Sequence, residues 1–393
     1  VRAEAGAGWG PRLLGLAAGL AGLAAIWWFL VRGGTGPLTA LILGGLGGLA
    51  MQRGRFCLLC LTRDFVRGGD PRGLLAVLAA LATGLLGYLV VLTNWLPNPA
   101  GPGLPPDAHV GPVSWVLVVA GLSFGTGMVL SGACIAGHLY RLGEGSSRAP
   151  VSLLGAATGF GLGFATWPSL YDTTLREAPV VWLPHHLGYT GSAALALALL
   201  AAAAWPLLRR LPARPARAAA PDAATLLRAV FVQRWPAWSG GVLVGLLGAV
   251  AYLRDEPLGV TAALGGAARW VGTAQGWLPA RIGGLDGFAG CATAPDAVGG
   301  NLVFVLGLVA ASLAAASLAG QFSLARSSAR QQLQSLAGGV LMGWGAMTAL
   351  GCTIGVLLSG VMAGALSGWV FGAAVLAAVW GGLWLTRPRT GQA

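Results

Sequence analysis

Two of the five cysteines in this 393-residue chain sit among glycines, Cys134 in GACIAG and Cys352 in GCTIG. Their surroundings repeat. Gly125, Gly127, Cys134 and Gly137 recur 218 positions later as Gly343, Gly345, Cys352 and Gly355. Glycine near a thiol, here Gly132 and Gly137 around Cys134 and Gly351 and Gly355 around Cys352, lets backbone or ligand approach closely. A helix that starts at such a break turns unpaired N–H groups and partial positive charge toward an anion. In a dry constriction the thiol stays S–H, a weak donor that holds a soft, polarisable anion loosely. Conduction needs that looseness, because a site must release its ion as well as accept it. The competing reading is that each cysteine packs as a small buried hydrophobe; the matched positions in two halves favour chemistry.

Cys57 and Cys60, in RFCLLC, form a C-x-x-C pair, a spacing that suits thiol–disulfide exchange. No second cysteine or histidine pair at comparable spacing points to zinc, and no metal or cofactor is expected. Cys291, in GFAGCATAPDAVGG, has no first-half counterpart and reads as a packing residue. His138 follows the first glycine–cysteine turn and is matched by Val356; it is a candidate to assist an anion or to make a helix-end hydrogen bond. Arg141 and Glu144 lie three apart on one helical face and are expected to neutralise each other near the interface. The Arg63–Asp64 pair is expected to anchor a short helix, and His185 and His186 read as exposed loop residues. Asp286 and Asp296 are the acidic candidates for ion coupling.

The elements that would position these groups belong in a bilayer. The chain is 56% hydrophobic and 9% charged, with a mean hydropathy of +0.74, and cannot cover itself with a water-facing surface. Leu13 to Val31, Leu74 to Leu96, Ser114 to Leu130, Val151 to Pro168, Ser192 to Leu208, Gly240 to Leu253, Val303 to Ala319 and Leu366 to Leu385 approach the ~20 apolar residues of a membrane span. The first of these reads as a retained helix, since no small-residue cleavage pattern follows Val31. Shorter apolar pieces, among them Leu38 to Ala50, Phe56 to Phe65 and Thr353 to Ala365, read as broken or re-entrant helices, which survive at membrane depth only where protein or a lined cavity satisfies them. The expected fold is an all-α polytopic membrane protein, an inverted-repeat bundle of roughly 11–13 helical segments by span length.

All 24 basic residues are arginine and the net charge is +12. They sit in loops without the aromatic interleaving of a nucleic-acid surface, so the charge reports topology and no nucleic-acid partner is expected. Arg209, Arg210, Arg214, Arg217, Arg228 and Arg234 crowd a proline- and alanine-rich linker, which the positive-inside rule assigns to the cytoplasm. Arg53, Arg55, Arg63, Arg67 and Arg72 form a second cluster, whereas Pro97 to Pro112 has no arginine and faces outside. The chain divides into 1–208, a first membrane half with an extra N-terminal helix; 209–237, the linker; and 238–393, the second half. A weaker match at an offset of 201 pairs AMQRGRFC with AYLRDEPL. Duplicated halves with short interrupted helices point to a transporter whose pathway lies near the midplane. With no lysine there is no nucleotide-binding loop.

GRFCLLCLTRDF, SGACIAGHLYRLGEG and MGWGAMTALGCTIGVLLSG together resemble the YeeE/YedE family of sulfur-compound membrane transporters. The resemblance implies a multi-pass bacterial inner-membrane importer of thiosulfate or a related small sulfur-containing anion. It implies an inverted repeat whose re-entrant helices meet at a central constriction, and passage of the anion along thiols that map onto Cys57, Cys134 and Cys352. Cys60 departs from the pattern and leaves open which thiol of the pair faces the pathway. Membrane lipid surrounds such a protein, and a cytoplasmic sulfur carrier (TusA-like) or rhodanese-like protein accompanies such transporters. Some relatives are linked to selenium, so a selenium compound is an alternative substrate. The main rival function is a membrane thiol–disulfide oxidoreductase using Cys57 and Cys60; a third is an assembly protein with inert cysteines.

Overall fold

The structure, a computed structural model, describes residues 9–33, 38–212, 222–254, 257–286, 288, 290 and 300–386. Among them the chain forms helices only. In order these are α1 (Trp9–Gly33), α2 (Leu38–Gly54), α3 (Leu58–Gly68), α4 (Arg72–Trp95), α5 (Trp115–Ser131), α6 (Ile135–Gly143), α7 (Arg148–Leu175, its last turn a π-helix) and α8 (Leu183–Leu208). They continue as α9 (Ala223–Phe231), α10 (Ala237–Arg254), α11 (Ala262–Ala274), α12 (Gly300–Leu318), α13 (Ala329–Thr348), α14 (Thr353–Met362, opening as a π-helix) and α15 (Leu366–Leu385). Fifteen helices exceed the expected number partly because α9 lies inside the linker, where proline and alanine had suggested loop. Seven stretches are long and apolar enough to cross a membrane, and α13 with α14, bent by 43°, make an eighth. The protein is an all-α polytopic membrane protein.

Helix contacts are closed under exchange of the halves. α2 packs on α12 as α10 packs on α4, and α5 packs on α15 as α13 packs on α7, while α2–α10 and α5–α13 meet at the centre. At the second of these crossings a Cβ on Gly127 would lie 2.5 Å from the Gly338 carbonyl oxygen, and one on Gly345 would lie 2.5 Å from that of Ala120. Those two contacts are images of each other under the 218-residue offset. Along the crossing α13 numbers rise as α5 numbers fall, so the helices run antiparallel. Lipid supplies no hydrophobic drive between helices, and association then depends on close packing across small residues.

Polar contacts separate two ends of the bundle. On the linker side, Arg210 sits over the Phe65 ring and Arg67 donates to Thr386 Oγ1. On the other side, Tyr252 donates to the Pro106 carbonyl and Trp182 Nε1 donates to that of Ala363. The arginines are not all loop residues. Arg53, in the last turn of α2, is fully buried; it donates to Gln52 Oε1 (2.6 Å), the Val232 carbonyl (2.7 Å) and the Ala315 carbonyl (2.8 Å), fastening the linker to α2 and α12. A guanidinium is tolerated there because its donors find acceptors. Arg269 of α11 is likewise buried and pairs with Asp286 at 2.8 Å, so Asp286 is an ion-pair partner; Asp296 lies outside the described residues. His185 and His186 are exposed as expected but open α8, and Arg63 and Asp64 form a 3.8 Å surface pair.

Gly127→Leu is expected to destabilise the bundle by about 3 kcal/mol or more, because backbone, which cannot move aside, blocks the new side chain. Gly161→Ala, on α7 with no atom within 4 Å of the added Cβ, should change stability by no more than about 1 kcal/mol. Melting of the detergent-purified variants checks both.

Candidate functional site

Each of the three cysteines carried by the motifs is the N-cap of a short helix: Cys57 for α3, Cys134 for α6 and Cys352 for α14. Two positions before each lies a residue in the left-handed conformation, Arg55 (φ 51°), Gly132 (φ 89°) and Leu350 (φ 63°). The unit is therefore the same three times: one helix ends, the backbone turns left-handed, one residue follows, and a cysteine starts the next helix. The ends are closed by Phe56 N–H donating to the Met51 carbonyl (3.1 Å), Gly132 N–H to that of Met128 (2.8 Å) and Gly351 N–H to that of Ala346 (2.7 Å). In the fourth place the 201-residue offset sets Leu258, a buried leucine, opposite Cys57.

Serine, threonine, aspartate and asparagine are the good N-caps. Cysteine at all three is a weak cap: Cys134 Sγ accepts from Gly137 N at 3.3 Å, Cys352 Sγ accepts from Ile354 N at 3.4 Å, and Cys57 Sγ accepts no capping bond. Each thiol thus lies at the positive end of a short helix. Cys57, Cys60, Cys134 and Cys352 are all buried, and none is in a disulfide. Cys134 Sγ lies 3.8 Å from Cys57 Sγ. Gly137 makes this possible, since a Cβ there would stand 2.9 Å from the Cys57 sulfur and 3.0 Å from Ala133 Cβ.

Beside Cys134 is an apolar cavity of about 20 Å³, walled by Phe56, Leu58, Ala136 and, from α14, Thr353 and Ile354. It joins the Cys134 break to the residues that follow Cys352, and it has room for about one water. On the side away from the linker, His109 Nδ1 lies 2.7 Å from the Gly355 carbonyl and bonds to it. Cys134 touches Cys57, Cys60 follows one turn along α3 beside Arg141, and Cys352 opens α14 across the cavity from Cys134.

Some expectations change. The left-handed position equivalent to Gly132 is Leu350, and Gly351 follows it. Arg141 and Glu144 do not pair: Arg141 donates to the Gly132 carbonyl (3.1 Å) and to Cys60 Sγ (3.0 Å), while Glu144 Oε1 accepts from Gln52 (3.1 Å). The turn after α6 folds back, so the carboxylate meets α2 instead. His138 is buried and neither ring nitrogen has a hydrogen-bond partner, so the helix-end bond is not made. Cys291 lies outside the described residues. His109 was missed because its proline-rich segment was read only for charge; its sole sequence signal was a histidine in PDAHVGP.

The family model for sulphur transport matches residues 53–382. The thiosulfate transporter TsuA of Escherichia coli (strain K12) is 26% identical over 374 residues, covering 90% of this chain and 95% of that protein. The thiosulfate transporter TsuA of Spirochaeta thermophila is 28% identical over 347 residues, covering 82% of this chain and 91% of that protein.

Gly137→Ala is expected to push the Cys57 and Cys134 thiols apart while leaving the helices folded. In a variant retaining only those two cysteines, oxidative cross-linking read by mass spectrometry should slow by on the order of tenfold or more, because such reactions depend steeply on approach geometry.

Proposed function

The chain belongs to the sulphur transport family, and we propose that it carries thiosulfate, or a closely related small sulfur-containing anion, inward across the bacterial inner membrane along its buried thiols. It is a transport protein and not an enzyme. The observation that carries the reading is the Cys134–Cys57 contact, two buried thiols 3.8 Å apart at the N-termini of two short helices. The relatives named as thiosulfate transporters supply the substrate class.

The physical steps follow from the residues. An anion entering from the side of the 97–112 segment meets Cys352, whose thiol and helix N-terminus offer a weak donor and partial positive charge. The anion passes to Cys134 and then to Cys57 through S–H···S contacts, each sulfur replacing part of the hydration shell it left. No single site binds strongly, which lets the ion leave. The cavity between Cys134 and α14 is too small for the anion, so each passage requires α14 or α6 to give way. Glycine on both faces makes the two breaks the compliant points.

The halves 1–208 and 238–393 form an inverted repeat with linker 209–237 on the cytoplasmic face, a reading supported by the antiparallel α5–α13 crossing and by linker arginines. A cytoplasmic sulfur carrier or rhodanese-like protein would take the anion there. A thiol–disulfide oxidoreductase fits less well, since Cys57 is 1% and Cys60 2% exposed and neither is open to a protein partner.

The test is uptake of radiolabelled thiosulfate into proteoliposomes, with sulfate and selenite as competitors. Wild type is expected to accumulate label, Cys134→Ala and Cys352→Ala each to lose at least about 90% of the rate, on the scale of removing one essential positioned group, and sulfate not to compete. Competition by selenite would mark a selenium compound as substrate. Full uptake by Cys134→Ala rules out the thiol pathway.

A further inference from the structure

Two features of the thiol line are unused by that reading. The first is the Arg141 guanidinium, half-buried at the far end of α6. Its partners are the Gly132 carbonyl, the Cys60 sulfur and the neighbouring Tyr140 phenol, and among the described residues no carboxylate pairs with it. A cation in a membrane-embedded helix is costly and is balanced by an opposite charge or by backbone carbonyls; here a single carbonyl and a sulfur leave the net charge in place. The second is His138, 1% exposed with both ring nitrogens unpartnered. A buried polar group without a partner costs about 1–3 kcal/mol, a cost relieved whenever a polar ligand comes alongside.

These residues share one side of α6. Cys134, His138 and Arg141 stand at i, i+4 and i+7 along α6, one stripe on one face. Cys57 and Cys60 stand one turn apart on α3. The facing pairs are Cys134 with Cys57 at 3.8 Å and Arg141 with Cys60 at 3.0 Å. The Arg141 side chain, from the last turn of α6, folds back to the Gly132 carbonyl and there meets the Cys60 sulfur, close to the Cys134–Cys57 contact and with His138 on the same face of α6.

We propose that Arg141, with Cys60 and His138, forms a charged station for the dianion at the linker-side end of the thiol line. This inference rests on the transport reading. The guanidinium, without a carboxylate partner among the described residues, attracts the anion, the Cys60 thiol continues the S–H contacts one step beyond Cys57, and His138 donates from the same face of α6. Because Arg141 is only half-buried, the anion held there is within reach of water and can leave. Cys60 thus has a role that the three motif cysteines alone do not assign.

The test is equilibrium binding of radiolabelled thiosulfate to the purified full-length protein, with initial uptake rates in proteoliposomes alongside. Arg141→Gln is expected to weaken binding at least tenfold and Arg141→Lys, which keeps the charge, less than threefold; Cys60→Ser is expected to slow uptake. Arg67→Gln, which removes an exposed charge from α3, should match wild type in both. Wild-type binding by Arg141→Gln with uptake intact overturns the station and leaves the transport reading standing. Equal losses in the Gln and Lys variants, with melting temperatures unchanged, overturn it as well. Binding that depends on Arg141 without any wild-type uptake keeps the station and refutes transport. No thiosulfate binding by wild type overturns both.

Discussion

The fold turns on a conflict between two needs, a continuous hydrogen-bonded backbone in lipid and a buried thiol held at the start of a short helix. Irregular backbone inside a bilayer survives only when its polar groups find partners within the protein. The left-handed turn before each cysteine meets that need. It lets an N–H reach back to a carbonyl of the ended helix, as Gly351 does to Ala346 and Phe56 to Met51, and it redirects the chain so that the next helix begins two residues later. A non-glycine residue in that conformation costs roughly 1–2 kcal/mol. Leu350 and Arg55 bear that strain, and Leu350 is 3% exposed, so its side-chain burial offsets it.

Close packing between helices makes the arrangement possible at this scale. The centre is narrow because α5 and α13 cross with backbone against backbone at Gly127 and Gly345. Gly137 does the same at the level of the thiols. With any larger residue there, Cys57 and Cys134 would be separated. Polar anchoring is kept to the ends: Arg53 ties the linker to α2 and α12 at one side, and His109 reaches Gly355 at the other.

Much of this was legible in the sequence. Seven of the eight apolar runs marked helices long enough to cross a membrane, while Leu13 to Val31 gave only a shorter apolar stretch, and the 218-residue recurrence around Cys134 and Cys352 marked the two breaks, because glycine and cysteine there answer to local backbone geometry. What escaped was decided by tertiary approach. A leucine in left-handed conformation leaves no compositional trace, so Gly351 stood out in place of Leu350. Arg53 looked like a loop charge because its acceptors come from residues 232, 315 and 52. Arg141 and Glu144 looked like a pair by helical spacing, yet the turn after α6 separates them and hands Arg141 to Cys60. The bond of His109 depends on a loop folding onto α14, which no local pattern encodes.

The central claim is that a soft sulfur anion sits against the thiols and not at the arginine-rich surface. The most direct measurement is a structure of the protein soaked with selenosulfate, with the selenium located by its anomalous scattering. The account predicts selenium in contact with the sulfur of Cys134, Cys57 or Cys352. Selenium found only on surface arginines, with the buried thiols unoccupied at saturating ligand, would contradict it.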